Sequence, residues 1–493
     1  MYAAFAQAAK TGKNISLNKK MRPLEIIIPI LLAIYLLWPF VTRHGHPMVI
    51  KLLPPLTLLL TITHLVFEGY RWQMIPLYVL TAAIALVNLP TLLKVDSANE
   101  PPRGWRAAAS YLTLILVAVS TAVPALLPVP RVAAPSGPYQ VGTQTIVLTD
   151  ASRRELYSGR DEPRKFMIQV WYPAAPRSSD VHAPWMENAD IFAPAIAKQI
   201  NLPGFFLNHL ALSKSPAFKD APLATAEKGY PVIVFSHGWS GFAAQNSAQM
   251  VELASQGYVV VGMQHTYGAV VTVFPDGQVA PLNPNALPDS MPEPGYTDVA
   301  RLLVNQWAGD ISYALDYLTE QNADAASPFH AALDLTRVGV YGHSTGGGAT
   351  IQFCGTDARC KAALTQDPFM TPVSQEVQEG GLRQPLLVFF SQGWRDLTDS
   401  KNNRLFDAFL PNVTTPVGVA TIIGTLHYDF TDIPLLSPLA PQLGLKGDIN
   451  GKLVVKILND YLVAYFNQEL KGIPSPIPFG SSADYPDLRW ESQ

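Results

Sequence analysis

Four long apolar runs, Leu24 to Val41, Val49 to Phe67, Met74 to Leu93 and Ala107 to Leu127, fill the first quarter of the chain and leave it few ways to fold. Each holds about 18 to 21 residues, the length that carries a helix across a hydrocarbon core of about 30 Å. Inside a bilayer every backbone N–H and C=O must be satisfied within the segment, so such runs fold as helices. Trp38, Tyr70, Trp72 and Trp105 lie at or near the ends of the runs, where aromatic belts form. Pro29, Pro39 and Pro76 are better tolerated in membrane helices than in soluble ones. A secretory signal peptide does not account for the first run, because three more follow it. Residues 1–127 are therefore expected to form a tail and four transmembrane helices at about 24–41, 49–67, 74–93 and 107–127. The runs are poor in ionisable residues, with Glu25 at one edge and His64 near another. Intramembrane charge marks an ion or substrate pathway, so the bundle reads as an anchor.

The remaining length of the 493-residue chain is enough for a full-sized enzyme domain. A formal charge of -3 without a basic stripe argues against nucleic acid as a partner. The whole-chain values of 48% apolar and 15% charged residues are skewed by the first 128 positions.

An even number of spans puts both ends of the chain on one side. The positive-inside rule is divided, with Lys10, Lys13, Lys19, Lys20, Arg22 and Arg71 on that side against Arg43, Lys51, Lys94, Arg103 and Arg106 on the other. Met21 opens a second start. Counted from there, Arg22 and Arg71 face the same five residues, which places both ends outside.

Pro128 to Gly142, PVPRVAAPSGPYQVG, is a proline-rich spacer without apolar periodicity and reads as a linker over residues 128–142. Beyond it strands alternate with helices. Thr145 to Leu148 and Lys165 to Tyr172 suggest a first pair of strands, and Asp180 to Lys228 is polar and irregular. Pro231 to Phe235 is a continuous apolar run, the form of a strand buried on both faces. A helix near Ala244 to Gln256, a strand at Tyr258 to Met263, a proline-rich insertion from Phe274 to Tyr296 and a helix from about Thr297 to Thr319 follow. Lys361 to Thr365, Leu386 to Phe390 and Val417 to Ile423 read as later strands, and Leu453 to Leu470 as a closing helix. Such alternation implies a mostly parallel sheet covered on both faces, with ligands at the carboxyl ends of its strands. The catalytic domain is expected over residues 143–480, with a tail at 481–493.

At the centre of this half stands Arg337 to Thr350, RVGVYGHSTGGGAT. Val338, Val340 and Tyr341 form a β-branched and aromatic run that meets Gly342-His343-Ser344-Thr345-Gly346 and passes into small residues able to start a helix. In G-x-S-x-G the serine occupies a sharp turn, and the flanking glycines leave room for it. A serine hydroxyl needs an adjacent base, itself oriented by a third group. The histidine available downstream is His427, directly after a strand. Asp367, after the strand KAALT, and Asp396, after the next strand, both satisfy the order Ser, acid, His. Chain order does not separate them. Oxyanion donors are expected from the backbone N–H of Thr345 and, through the His237-Gly238 turn that ends a buried strand, from that of Trp239.

The segments FSHGWSG, SQGYVVVGMQH, GHSTGG, ALTQDPFM, GTLHYDFTD and LKGDIN, in this order, resemble the platelet-activating-factor acetylhydrolase family, in its plasma and intracellular type II branch. The resemblance extends over about residues 137–475 and implies an α/β-hydrolase fold, here preceded by the four-helix transmembrane region. It implies calcium-independent hydrolysis of phospholipid esters with a short or oxidised sn-2 chain, without metal or organic cofactor. It also favours Asp367 over Asp396 as the acid. Pro368-Phe369 stands where the family has Ala-Trp, a change in the pocket wall, and the multi-span half lies outside the resemblance.

Cys354 and Cys360, six positions apart, are spaced either for a disulfide or for two buried thiols. A bridge requires an oxidising compartment, which together with the Met21 count points to a catalytic domain on the outer face. The expectation is thus a multi-pass serine esterase with Ser344, His427 and Asp367 as its triad, acting on a lipid or small ester. A broad carboxylesterase or polyester hydrolase uses the same residues. A non-catalytic membrane protein with a hydrolase-like binding domain is the alternative of another class.

Overall fold

The computed structural model describes residues 21–93, 104–225, 229–397, 400–475, 477, 479, 480 and 483–491. Lys10, Lys13, Lys19, Lys20, Lys94 and Arg103 of the charge count lie outside the described residues.

Residues 140–490 build one large sheet. Its strands are β1 (Gln140–Arg154), β2 (Pro163–Ala174), β3 (His182–Pro184), β4 (Lys214–Lys219), β5 (Tyr230–Ser236) and β6 (Val259–Gln264). After a small hairpin of β7 (Val271–Val273) and β8 (Val279–Pro281) come β9 (Leu333–His343), β10 (Cys360–Gln366), β11 (Leu386–Ser391), β12 (Val417–Ile422) and β13 (Leu488–Trp490). The sheet order is β13-β12-β11-β10-β9-β5-β6-β2-β1-β4-β3. From β6 to β12 all neighbours are parallel, while β2 joins β6 and β13 joins β12 antiparallel. Every residue of β5, β6 and β11 is buried, as expected of parallel strands covered on both faces. The helices Gly295–Ala323 and Thr345–Thr356 pack on one face through Ile311, Leu315, Leu318, Ile351 and Phe353. Ser247–Ser255 and Gly451–Lys471 cover the other through Met250, Val251, Ile457 and Tyr465. This is an α/β-hydrolase arrangement, with β9 and the residue after it near the middle of the sheet.

Three segments differ from the sequence expectation. The irregular stretch after Asp180 holds a helix, Ala189–Gln199, a 3-10 stretch, Gly204–Leu212, and the last two strands at one side of the sheet, β4 and the edge strand β3. Pro194 lies inside that helix and reads as a breaker in sequence. The expected tail from 481 to 493 contributes β13, whose three residues are too few for alternation to be legible; residues 481, 482, 492 and 493 lie outside the described residues. The segment expected as a linker is pinned: Pro130 accepts from Ser213 Oγ at 2.9 Å, Ser136 N–H donates to Glu252 at 2.8 Å, and Tyr139 N–H donates to Ser255 O at 3.1 Å.

Among the described residues the amino-terminal region holds four helices long and apolar enough to cross a membrane, Pro23–Thr42, Met48–Glu68, Trp72–Pro90 and Trp105–Leu126. Their outward faces carry exposed Leu59, Val66, Leu86, Val87, Leu112 and Val119. At one end of this bundle a group of ionisable residues is gathered and largely buried. Arg71 pairs with Glu25 at 2.7 Å and donates to the carbonyls of Pro124 and Leu127. Arg22 pairs with Glu25 at 2.8 Å and lies 3.2 Å from His64 Nε2. His64, near the edge of its apolar run in sequence, is wholly buried, and so is Glu25. An uncompensated charge at such depth is costly, so each acid carries a cation.

That same end of the bundle docks on the large sheet's domain. Trp72 Nε1 donates to Phe206 O at 3.0 Å, and its ring meets Phe205 edge-on at 5.3 Å. Gln73 Nε2 lies 2.7 Å from His209 Nδ1. Burial pushes His209 down to about 4, leaving a neutral ring that accepts from the amide. Ser437 Oγ donates to Leu126 O at 2.6 Å. Phe206, Val132 and Leu436 share an apolar cluster with Phe242 and Val270, residues that follow the carboxyl ends of β5 and β6. The bundle therefore sits at the end of the sheet that carries the loops after the strands.

Candidate active site

Ser344 stands between the end of β9 and the start of helix Thr345–Thr356, with φ 57° and ψ -119°. A non-glycine residue in that region carries backbone strain of order 1–3 kcal/mol, held by its surroundings. Here Ser344 N–H donates to Gln366 O at 2.9 Å, and Phe369 N–H donates to Ser344 O at 3.0 Å. The two motif glycines answer to close approaches. A Cβ on Gly342 would lie 2.2 Å from Gly346 O, and one on Gly346 would lie 2.0 Å from Ser236 O.

The structure brings His427 and Asp367 together. After β12, Gly424 turns at φ 77° and His427 opens a short 3-10 stretch, His427–Phe430. Its Nδ1 lies 2.9 Å from Asp367 Oδ2. Asp367 follows β10 directly, is wholly buried and has φ 47°. Ser391, the last residue of β11, donates to it from its backbone N–H at 2.7 Å and from its hydroxyl at 2.6 Å. The His427 ring is stacked on Trp394 at 4.4 Å and 17°, and its centroid lies 4.4 Å from that of the tilted His343 ring. His343 lies 3.0 Å through Nε2 from the carbonyl of His427 and 3.2 Å through Nδ1 from Gln245 Nε2. The His427 loop and the turn at Ser344 are thus tied through His343, the residue before the serine. Asp396 caps the short helix Gln392–Arg395 and is exposed; it is Trp394 from that segment that reaches His427.

Burial sets the electrostatics. It pushes Asp367 up, against the hydrogen bonds from Ser391 that favour the carboxylate. It pushes His427 down, and the side chain keeps 23% exposure. His343, enclosed and beside His427, is pushed down to about 3. A neutral His427 donates Nδ1–H to Asp367 and leaves Nε2 as an acceptor.

The other expected residues are close by. A Cβ on Gly238 would lie 3.2 Å from Ser344 Cβ, so the Gly238-Trp239 turn passes directly over the serine. Thr345 is the first residue of its helix, where backbone N–H groups have no intrahelical acceptor. Cys354 and Cys360 form a disulfide with Cα atoms 5.2 Å apart.

Among the described residues two groups have donors near enough for a cation, His343 with Asp367 and His427, and Glu25 with His64 and Glu68. In the first, both ring nitrogens of His343 already have partners. In the second, Arg22 and Arg71 supply the positive charge.

Sequence reasoning did not single out Ser391, Trp394 or Gln245, nor a second buried array. In that array Ser236 Oγ lies 3.0 Å from His265 Nε2, and His265 Nδ1 lies 2.9 Å from Asp310 Oδ2. Ser391 and Ser236 each end a parallel strand, and position at a carboxyl end was the available signal.

Comparison with known proteins places this geometry in a family. Residues 128–473 match the family model described as platelet-activating factor acetylhydrolase, isoform II, and residues 23–128 match one described as an N-terminal domain. The platelet-activating factor acetylhydrolase of Cavia porcellus is 26% identical over 356 residues, covering 68% of this chain and 77% of that protein. A probable 1-alkyl-2-acetylglycerophosphocholine esterase of Arthroderma benhamiae is 24% identical over 413 residues, covering 76% of this chain and 96% of that protein. The solved ferulic acid esterase from Streptomyces cinnamoneus superimposes with a TM-score of 0.60 at 24% identity, covering 74% of this chain and 100% of that one, and so shares the fold. With its model spanning most of the chain, this protein belongs to the platelet-activating factor acetylhydrolase isoform II family of esterases.

Proposed function

We propose that the chain is a membrane-held serine esterase that cleaves short or oxidised sn-2 acyl chains from phospholipids, with Ser344, His427 and Asp367 as its triad. The observation that carries this reading is the 2.9 Å contact of His427 Nδ1 with buried Asp367 beside a serine in the elbow conformation. Ser344 Oγ attacks the ester carbonyl while His427 Nε2 takes its proton. The Thr345 and Trp239 N–H groups face the oxyanion of the tetrahedral intermediate. Collapse breaks the bond to the sn-2 oxygen, and His427 returns the proton to the leaving lysophospholipid alcohol. Water, deprotonated by the same imidazole, then releases the acid from the acyl-enzyme. Asp367 stabilises the imidazolium formed in each half.

The four helices are read as spans and residues 143–480 as the catalytic domain. Their docking at the carboxyl end of the sheet supports a substrate drawn from the adjoining leaflet. The Cys354–Cys360 disulfide supports an extracytoplasmic domain. Arg22 and Arg71 are paired with Glu25, which weakens their weight as retained positive charges and favours the same orientation.

The test is treatment of the full-length protein in detergent with a fluorophosphonate, mapping of the label, and a panel of phospholipids and soluble esters of graded chain length. Labelling of Ser344 and preference for short-chain phospholipids are expected. Unaltered hydrolysis by Ser344→Ala would refute the mechanism, and cleavage of soluble esters alone would refute the lipid substrate.

A further inference from the structure

Behind the Gly238-Trp239 turn lies a polar chain that the mechanism above does not use. Asp310 is wholly buried and is held by Arg164 through Nη2 at 2.6 Å and Nε at 3.1 Å, and by Arg153 at 2.9 Å. Because the carboxylate only accepts, His265 carries its proton on Nδ1 and accepts at Nε2 from the Ser236 hydroxyl. The His265 ring lies flat on Trp307, 4.2 Å away and 5° from parallel. With the acid already paired to two guanidinium groups and all three members shut from solvent, Ser236-His265-Asp310 has the atom order of a triad and no route to a substrate.

What it does reach is His237. The backbone N–H of His265 donates to His237 Nε2 at 3.3 Å. That leaves the proton of the buried His237 ring on Nδ1, which donates to the carbonyl of Gly238 at 2.7 Å. Gly241 N–H donates to the same carbonyl at 2.9 Å. A trans peptide is planar, so its C=O and N–H point to opposite sides. Fixing Gly238 O therefore fixes the direction of Trp239 N–H, on the side away from His237, in a turn that passes over Ser344.

We propose that His237 is a positioning residue for the oxyanion site: it holds the Gly238-Trp239 peptide by its oxygen, with His265, Asp310 and Arg164 as a rigid backing. The proposal rests on the reading of Trp239 N–H as an oxyanion donor. A donor preorganised in this way acts where charge develops and contributes little to substrate binding.

The test compares His237→Gln, which moves the donor by one methylene, with His237→Asn, whose amide nitrogen falls near the place of Nδ1. Steady-state rates are read on a soluble short-chain ester, together with affinity for a trifluoromethyl ketone that forms a tetrahedral adduct on the serine, and thermal unfolding. H237Q is expected to lower kcat roughly ten- to a hundredfold with KM within about twofold, and to weaken the ketone by the same factor. H237N is expected to recover most of both. Parental kcat in H237Q, a loss confined to KM, no recovery in H237N, or a kcat loss that merely follows the fall in unfolding temperature across the two variants would overturn it. Fluorophosphonate labelling of the parent separates the two readings. A labelled, active parent with an equally active H237Q sinks this proposal alone, whereas a parent that neither labels at Ser344 nor hydrolyses esters sinks the mechanism beneath it.

Discussion

Ser391 holds Asp367 at both oxygens, through its N–H at 2.7 Å and its hydroxyl at 2.6 Å, and the hydroxyl shares Oδ2 with His427 Nδ1. Such donors favour the charged form of a carboxylate that burial pushes up. Ser391→Ala removes one of them, so Asp367 rises further and offers less negative charge to the imidazolium. A hydrogen bond to a charged group contributes about 1.5–3 kcal/mol, so kcat is expected to fall about tenfold or more with KM little changed. Steady-state kinetics on a soluble ester checks this.

The pH profile follows from His427. Its imidazole must be unprotonated to act as base, and burial lowers it from the ordinary 6.5. Activity therefore switches on as pH rises through that lowered value, and the acidic limb of kcat/KM should lie below 6.5. A limb at or above 6.5 would mean that the charge of Asp367 outweighs burial at the imidazole. Rates between about pH 4 and 9 decide it.

Gly346 tests the elbow. An added Cβ would stand 2.0 Å from Ser236 O, a backbone atom at the end of β5. The clash cannot be relieved by turning a side chain. Gly346→Ala should cost about 1–3 kcal/mol or more and displace Ser344, so that fluorophosphonate labelling is lost before the fold is. Labelling rate and calorimetric unfolding separate the two effects.

Arg71 tests the bundle. Arg71→Met leaves Glu25 buried with one cation in place of two, and breaking a buried pair costs about 3–5 kcal/mol. Adding Glu25→Gln should restore part of the loss. Unfolding in detergent, and protease cleavage within residues 128–142, report whether the bundle has loosened from the domain.

Much of the candidate site was legible because a G-x-S-x-G turn constrains local sequence. The elbow needs Gly342 and Gly346 within five residues, and the order Ser, acid, His narrows the partners of Ser344. Chain order did not separate Asp367 from Asp396, since each follows a strand of the same sheet, and it was the family resemblance that favoured Asp367. Register and loop shape put the first under His427 and turned the second to solvent, with Trp394 on the ring instead. Ser391 and His237 were equally hidden, because their roles lie in which backbone or carboxylate atom they touch.

The sequence by itself determined the four apolar helices, the alternation that makes a parallel sheet, and the serine at its centre, all of which depend on periodicity and on residues adjacent in the chain. Only the tertiary structure decided that Glu25, Arg22, Arg71 and His64 form one buried cluster, that the 128–142 segment is pinned, and that the bundle docks at the carboxyl end of the strands. Apart from the Arg22–Glu25 pair, these relations join residues tens to hundreds of positions apart. A buried charge or carbonyl specifies that it must have a partner, and the folded chain specifies which one.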